Sequence, residues 1–167
     1  MNKVSFEKLA PWIGLVARLT LGGVLALAGF LKFDELDKSQ MAVRAYELLP
    51  IPVANFMGIF LPFFELAVGA LLVLGAATRI SALASGLLMF AFMIGISQAW
   101  ARGLSIDCGC FGGGGQVAPG EADYLTPLLR DTGLTLLATF LIFFPHTKFS
   151  LDKNPKMENQ PGDQNNG

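Results

Sequence analysis

The sequence predicts an all-α protein, namely an integral membrane four-helix bundle with an extracytoplasmic CxC loop. Two observations predict the membrane. Only 15% of the 167 residues are charged and 53% are hydrophobic, whereas soluble domains carry about a quarter charged residues. The charges also fall in clusters, which leaves four apolar runs of about 20 residues, each long enough to cross about 30 Å of hydrocarbon as a helix. A third observation predicts the loop, because both cysteines lie in one polar stretch, "DCGCFGGGG", at residues 107–115.

The four predicted helices are residues 12–31, a stretch within 51–78, residues 80–101 and residues 124–144. In lipid, backbone groups must be satisfied within the segment, which favours helices for all four runs. The third run contains no charged residue, and this argues against buried helices of a soluble all-α protein. A cleaved signal peptide is the alternative for the first run, but Arg18 interrupts its apolar stretch, so we expect a retained helix.

The expected organisation is a cytoplasmic N-terminus at residues 1–11, a transmembrane domain at 12–145 and a disordered polar tail at 146–167. Four spans put both termini on one side of the cell (inner) membrane. That side collects six basic residues against four on the other, with Arg130 as a fifth: Lys3, Lys8, Arg79, Lys148, Lys153 and Lys156 against Lys32, Lys38, Arg44 and Arg102. This bias favours cytoplasmic termini and a cysteine loop facing outward, where disulfides persist. The net charge of −1 shows no nucleic-acid footprint.

Four charged residues fall inside the predicted helices. A charge near the bilayer centre costs at least about 2.5–3.5 kcal/mol, so we expect Arg18 and Glu65 to form a buried ion pair between the first two helices. The alternative is that Arg18 reaches the membrane surface and Glu65 is neutral. Glu65 would otherwise line a pocket for a proton, quinone or small substrate. Arg130 and Asp131 are expected to form a membrane-edge pair near the cysteine loop.

Three chemistries suit Cys108 and Cys110. A structural metal needs about four ligands, and the chain adds only His146, which is predicted to lie across the membrane, so no metal is expected. A static disulfide closing so short a loop would stabilise little. Thiol–disulfide exchange is favoured, because a strained, exposed disulfide is the labile kind. Incidental thiols in a disordered loop are the alternative.

The residues around the cysteines fit exchange chemistry. Gly109 allows a tight reversal between the two cysteines, and the glycines at 112–115 would give a partner protein access to the backbone. Asp107 would oppose thiolate formation, although it could also relay a proton.

Four stretches make the chain resemble the MauE branch of the DoxX-like membrane proteins: "RLTLGGVLALAGFLKF" from Arg18, "AYELLP" at 45–50, "ELAVGALLVLG" from Glu65 and "DCGCFG" at 107–112. The resemblance covers roughly residues 12–144. It implies a four-helix membrane protein that acts beside a thioredoxin-like partner, MauD, in maturation of the disulfide-rich small subunit of methylamine dehydrogenase. Cys108 and Cys110 match the family's CxC pair, and Arg18, Tyr46, Pro50 and Glu65 match its recurring polar positions.

We therefore predict a membrane redox-associated protein whose Cys108 and Cys110 exchange disulfides with a thioredoxin-like partner. Asp107, Arg18, Glu65, Arg130 and Asp131 are the candidate supporting residues. One thiol pair does not carry electrons across a membrane alone, and the chain has no Rossmann or P-loop signature, so a quinone among the helices is the candidate acceptor. The alternatives are a non-catalytic anchor or assembly subunit of a DoxX-type quinone-linked oxidoreductase, and a quinone or small-solute carrier using Glu65 and Arg18.

Overall fold

The computed structural model describes residues 3–145 and Leu151, and in this part of the chain it has five helices and one two-stranded sheet. The elements are α1 (Lys3–Phe33), α2 (Leu36–Ala45), α3 (Ile51–Leu74), α4 (Thr78–Ala101), β1 (Ile106–Asp107), β2 (Gly115–Gln116) and α5 (Leu125–Phe143). Four stretches are long and apolar enough to cross a membrane: Ala10–Phe33, Ile51–Leu74, Thr78–Ala101 and Leu125–Phe143. The predicted four-helix membrane bundle is therefore confirmed.

The bundle core forms where α1 packs on α3 and α4 packs on α5. On α1, buried residues recur every three or four positions, from Arg18 through Leu21, Leu25 and Ala28 to Lys32. This spacing keeps one stripe of the helix turned toward the other helices. The stripe meets Leu72 of α3 and Ala138 and Leu141 of α5 in one hydrophobic cluster.

Glycines bring α1 and α3 into backbone contact. A Cβ added to Gly29 would lie 2.6 Å from the carbonyl oxygen of Pro62, and one added to Gly69 would lie 2.6 Å from the backbone nitrogen of Ala26. Small residues are what such close helix approaches in membranes require. These contacts fix the register of the two antiparallel helices, with Gly29 beside Pro62 and Gly22 beside Val73.

Helix α2 lies between the first two spans, in a stretch outside the four predicted helices. Its Ser39 and Ala42 are buried, and the Ser39 hydroxyl donates a hydrogen bond to the Gly58 carbonyl at 2.7 Å. Gly58 allows α2 to press directly on α3, since an added Cβ would lie 2.5 Å from the Cα of Gln40. The helix forms a platform at one end of the bundle.

The cysteine loop folds onto this platform. Strands β1 and β2 pair antiparallel, with Ile106 opposite Gln116 and Asp107 opposite Gly115. Gly109 and Gly114 have φ angles of +66° and +126°, and a Cβ on either would overlap the Ala42 methyl group of α2. Glycine is required at both positions because the backbone is left-handed and the approach to α2 is close.

Alternation of the four spans puts the start of α1, the α3–α4 turn and the end of α5 at one end of the bundle, opposite α2 and the cysteine loop. At that first end, the Leu151 N–H donates to the Gly75 carbonyl at 3.0 Å. Apart from Leu151, the predicted disordered tail lies outside the described residues. The predicted boundary at residue 12 falls inside α1.

Candidate functional site

Cys108 and Cys110 are free thiols in the turn between β1 and β2. Gly109 reverses the chain between them, so that the Cys110 N–H donates to Cys108 Sγ at 3.4 Å. The Cys110 thiol donates to the Cys108 carbonyl at 3.8 Å. Asp107 supports the same turn by accepting the Gly109 N–H at 3.3 Å. The turn therefore brings the two cysteines into direct hydrogen-bond contact with each other.

The two thiols differ in exposure. Cys108 is half-buried, whereas Cys110 is only 7% exposed. The expectation of an exposed pair is therefore wrong for Cys110. The glycines explain the difference, because they let the loop press onto its own helices: Gly112 against the Leu31 carbonyl and Gly114 against Ala42. Gly112 and Gly114 therefore serve packing within the chain, whereas Gly113 is exposed and Gly115 has open space beside it. Access of a partner to the backbone of these two glycines stays a prediction.

The electrostatics of the two thiols are also opposite. When Cys108 ionises, the Cys110 thiol donates to its sulfur instead of its carbonyl. This hydrogen bond, aided by the Cys110 N–H and the Arg130 guanidinium against the opposing effect of burial, lowers the pKa of Cys108 to about 7. The same hydrogen bond, together with burial, raises the pKa of Cys110 well above its ordinary value. These opposite directions favour the thiolate at Cys108 and the protonated thiol at Cys110 near neutral pH.

Tyr46 forms hydrogen bonds to the cysteine turn and to α4. Its hydroxyl donates to the Cys108 carbonyl at 3.1 Å, while its own carbonyl accepts from Gln98 at 3.1 Å and from Arg102 at 3.2 Å. Burial, followed by the negative charge of nearby thiolates, raises the pKa of Tyr46. Tyr46 therefore stays protonated as a donor and links the cysteine turn to α4. The resemblance pointed to Tyr46, but its contact with the turn was not predicted.

Glu65 pairs with Lys32 and not with Arg18. The Lys32 Nζ lies 2.7 Å from both carboxylate oxygens, and the two residues are 5% and 1% exposed. The predicted Arg18–Glu65 pair is wrong, because Lys32 lies almost four turns beyond Arg18 on α1, about 21 Å along its axis. Gly22 packs beside Val73, so Arg18, one turn earlier, lies level with the end of α3.

Lys32 is a residue of the candidate site that the sequence predictions did not include. The first predicted helix ends at residue 31, so Lys32 falls just outside it, whereas α1 continues to Phe33. The signal was present in the spacing, because Lys32 continues the stripe of Leu21, Leu25 and Ala28 at helical intervals. A basic residue on that stripe faces the bundle and needs a buried acid.

Arg130 and Asp131 lie directly against the cysteine turn. Arg130 Nε and Nη2 lie 2.8 and 2.7 Å from Asp131 Oδ1, and the guanidinium covers the Phe111 ring at 4.8 Å. Asp131 is fully buried inside the bundle, and the predicted Arg130–Asp131 pair forms beside the cysteine loop. Within the described residues, its Oδ2 makes no hydrogen bond.

Two small cavities connect these groups. One, of about 10 Å³, is lined by Cys110, Glu65, Arg130 and Asp131. The other, of about 40 Å³, is lined by both cysteines with Lys32 and Tyr46. Five of the seven predicted site residues are thus brought together, Asp107 supports the turn from its exposed side, and Arg18 lies elsewhere. In the part of the chain described, no three Cys, His, Asp or Glu side chains are grouped to hold a metal.

Comparison with known families gives one finding. A family model described as "Methylamine utilisation protein MauE" matches residues 10–144, which include all four spans and the cysteine loop. No curated protein and no solved structure matches the chain.

Proposed function

This chain belongs to the methylamine utilisation protein MauE family, and on that premise we propose that Cys108 and Cys110 exchange disulfides with a thioredoxin-like partner. Family membership and the four spans make it a membrane protein related to methylamine utilisation. The exchange would support maturation of an extracytoplasmic protein. Within this proposal the loop faces the outside of the cell membrane and the termini face the cytoplasm.

The observation that carries the proposal is the difference in exposure and pKa between the two thiols. Cys108 is accessible and its pKa is about 7, close to the ambient pH that favours an attacking thiol. Cys110 is buried next to it and protonated, as suits a second thiol that acts only on Cys108. Incidental thiols have no reason to be differentiated in this way.

The exchange is balanced between the dithiol of this chain and the disulfide of the partner. The Cys108 thiolate attacks a partner disulfide, which forms a mixed disulfide and releases one partner thiolate. Cys110 then attacks Cys108 Sγ, the Cys108–Cys110 bond forms, and the second partner thiol leaves. The partner gains two electrons and this chain loses them; the reverse sequence oxidises the partner.

The test is trapping with a purified thioredoxin whose second active-site cysteine is replaced by serine. The remaining thioredoxin cysteine is first converted to a mixed disulfide with thionitrobenzoate. The Cys108 thiolate of a Cys110→Ala variant should then displace thionitrobenzoate and accumulate a mixed disulfide with thioredoxin, which wild type resolves. Cys108→Ala, the matched control, should form none, because Cys110 is buried. Equal trapping by both variants, or by neither, would favour the non-catalytic anchor or assembly subunit.

A membrane quinone is the second candidate, as oxidant of the reduced pair. An apolar groove of about 270 Å³ lies beside the cysteines, and it shares four lining residues with the cysteine cavity: Val43, Tyr46, Leu61 and Phe92. A quinone bound there would accept two electrons and two protons as the dithiol becomes a disulfide.

The quinone reaction is measured as loss of free thiols when a short-chain soluble quinone is added to reduced protein. Ala91→Trp, which fills the groove, should slow the loss, whereas Ala67→Trp, exposed on α3 outside the groove, should not. Equal rates in both variants would remove the groove from consideration.

A further inference from the structure

We infer that Asp131 is the proton acceptor for Cys110, reached through one water molecule in the cavity that the two residues share. This rests on the proposed exchange function and adds a residue that takes part in it. The cavity of about 10 Å³ has room for about one water. Proton transfer over one water is within the reach of a general base.

Cys110 needs such an acceptor because its thiol is buried away from bulk water. It must lose a proton when it attacks Cys108 Sγ in the mixed disulfide, yet it is only 7% exposed. Hydroxide from bulk water would have to enter a site walled by Phe92, Phe111 and Leu134. A buried thiol without a nearby base would therefore resolve the mixed disulfide slowly.

Asp131 has a carboxylate oxygen, Oδ2, that can accept a proton, whereas the oxygens of Glu65 and Tyr46 already make hydrogen bonds. Both oxygens of Glu65 are held by Lys32 at 2.7 Å, and the Tyr46 hydroxyl donates to the Cys108 carbonyl. Arg130 occupies only Oδ1 of Asp131, and within the described residues Oδ2 makes no hydrogen bond. The titratable or charged groups that face Cys110 are Cys108, Arg130 and Asp131, with Glu65, Lys32 and Tyr46 across the two cavities.

The proton path follows the bond changes. As Cys110 Sγ attacks Cys108 Sγ, its proton passes to the water, and a proton of that water passes to Asp131 Oδ2. The partner's thiolate leaves with the electron pair of the broken sulfur–sulfur bond. In the reverse direction, protonated Asp131 returns the proton to the leaving Cys110 thiolate.

The experiment uses the reduced full-length protein and an aromatic disulfide, dithiobis(nitrobenzoate), which releases one coloured thiolate at each step. The first release reports attack by Cys108, and the second reports closure by Cys110. Asp131→Asn should slow the second release by about 100-fold and leave the first within about twofold. Asp123→Asn is the matched control, because Asp123 lies exposed near the start of α5, and both of its releases should equal those of wild type.

The sign of the change separates a proton acceptor from a mere charge. Asp131 raises the pKa of Cys110 by its negative charge, so removing that charge alone would speed the second release. A second release that is unchanged or faster in Asp131→Asn overturns the inference. Absence of the first release from wild type would instead overturn the proposed exchange function.

Two further variants complete the test. Asp131→Glu keeps a carboxylate at the cavity and should recover at least about half of the loss on a logarithmic scale; no recovery would contradict the assignment. If Asp131→Asn unfolds the bundle by leaving Arg130 unpaired, Arg130→Gln with Asp131→Asn removes both charges. That double variant is scored by the same second release.

Discussion

At the scale of single residues, the Cys110 thiol is one of the donors that lower the pKa of Cys108. Cys110→Ala removes this donor, so the apparent pKa of Cys108 should rise from about 7 toward about 8.5, the value of an ordinary thiol. Cys110→Ser keeps a donor and should give a smaller rise. The measurement is the pH dependence of iodoacetamide alkylation, and an unchanged profile in Cys110→Ala would contradict the assignment.

The buried Lys32–Glu65 pair sets a second expectation at this scale. Glu65→Gln leaves Lys32 charged and unpaired inside the bundle, which should cost about 3–5 kcal/mol of stability. Glu35→Gln is the control, because the Glu35–Lys38 pair is exposed, and it should leave the melting temperature unchanged. Equal melting temperatures for wild type and Glu65→Gln would show that the pair contributes nothing.

The sequence was sufficient to predict which residues belong to the site, but not which residues contact each other there. Cys108 and Cys110 could be predicted as site residues because they are the only cysteines in the sequence and only Gly109 separates them. Glu65 could be predicted because a charged residue in an apolar run is costly unless it has a partner or a function. Its partner could not be predicted: Arg18 and Glu65 are the charged residues inside the first two predicted helices, and they were therefore paired with each other. The register of α1 on α3, which excludes that pair, depends on backbone contacts at Gly22, Gly29 and Gly69 that no linear pattern reveals.

At the scale of elements, the four spans were predictable and the platform was not. Long apolar runs identify membrane helices by composition alone. Helix α2 is short and polar, and it buries only Ser39 and Ala42. A helix this short is only marginally stable alone, so the helical state of α2 depends on its packing against α3. The burial of Cys110 follows from this platform, which explains why the exposed loop was expected.

The docking of the cysteine loop on α2 can be tested with two glycines of similar backbone geometry. Gly109 and Gly103 have φ angles of +66° and +68°, so alanine costs each about 1–2 kcal/mol of backbone strain. Only at Gly109 does the new methyl also meet Ala42, since nothing lies near Gly103. Gly109→Ala should therefore displace the loop and increase maleimide labelling of Cys110, whereas Gly103→Ala should not. Similar labelling in both variants would mean that the loop does not depend on this contact.

At the scale of the whole molecule, the alternation of spans separates the cysteine loop from the α3–α4 turn by the thickness of the bundle. The proposed orientation can be tested with single cysteines placed at exposed Glu121 and Arg79 in a Cys108→Ser, Cys110→Ser background. An impermeant maleimide should label Glu121→Cys in intact cells and Arg79→Cys only after permeabilisation. The opposite pattern would place the loop in the cytoplasm, which the basic-residue bias alone argues against only weakly.

The arrangement of one accessible and one buried thiol also bears on oxidative damage. Peroxide would convert the Cys108 thiolate to a sulfenic acid, and this group would lie beside the thiol of Cys110, which is shielded from the oxidant. Condensation of the two forms a disulfide and releases water, and it competes with irreversible oxidation to the sulfinic acid. Mass spectrometry of peroxide-treated protein should therefore find a disulfide in wild type and sulfinic or sulfonic Cys108 in Cys110→Ala. The same contact that supports exchange thus makes the nucleophile recoverable by reduction after oxidative stress.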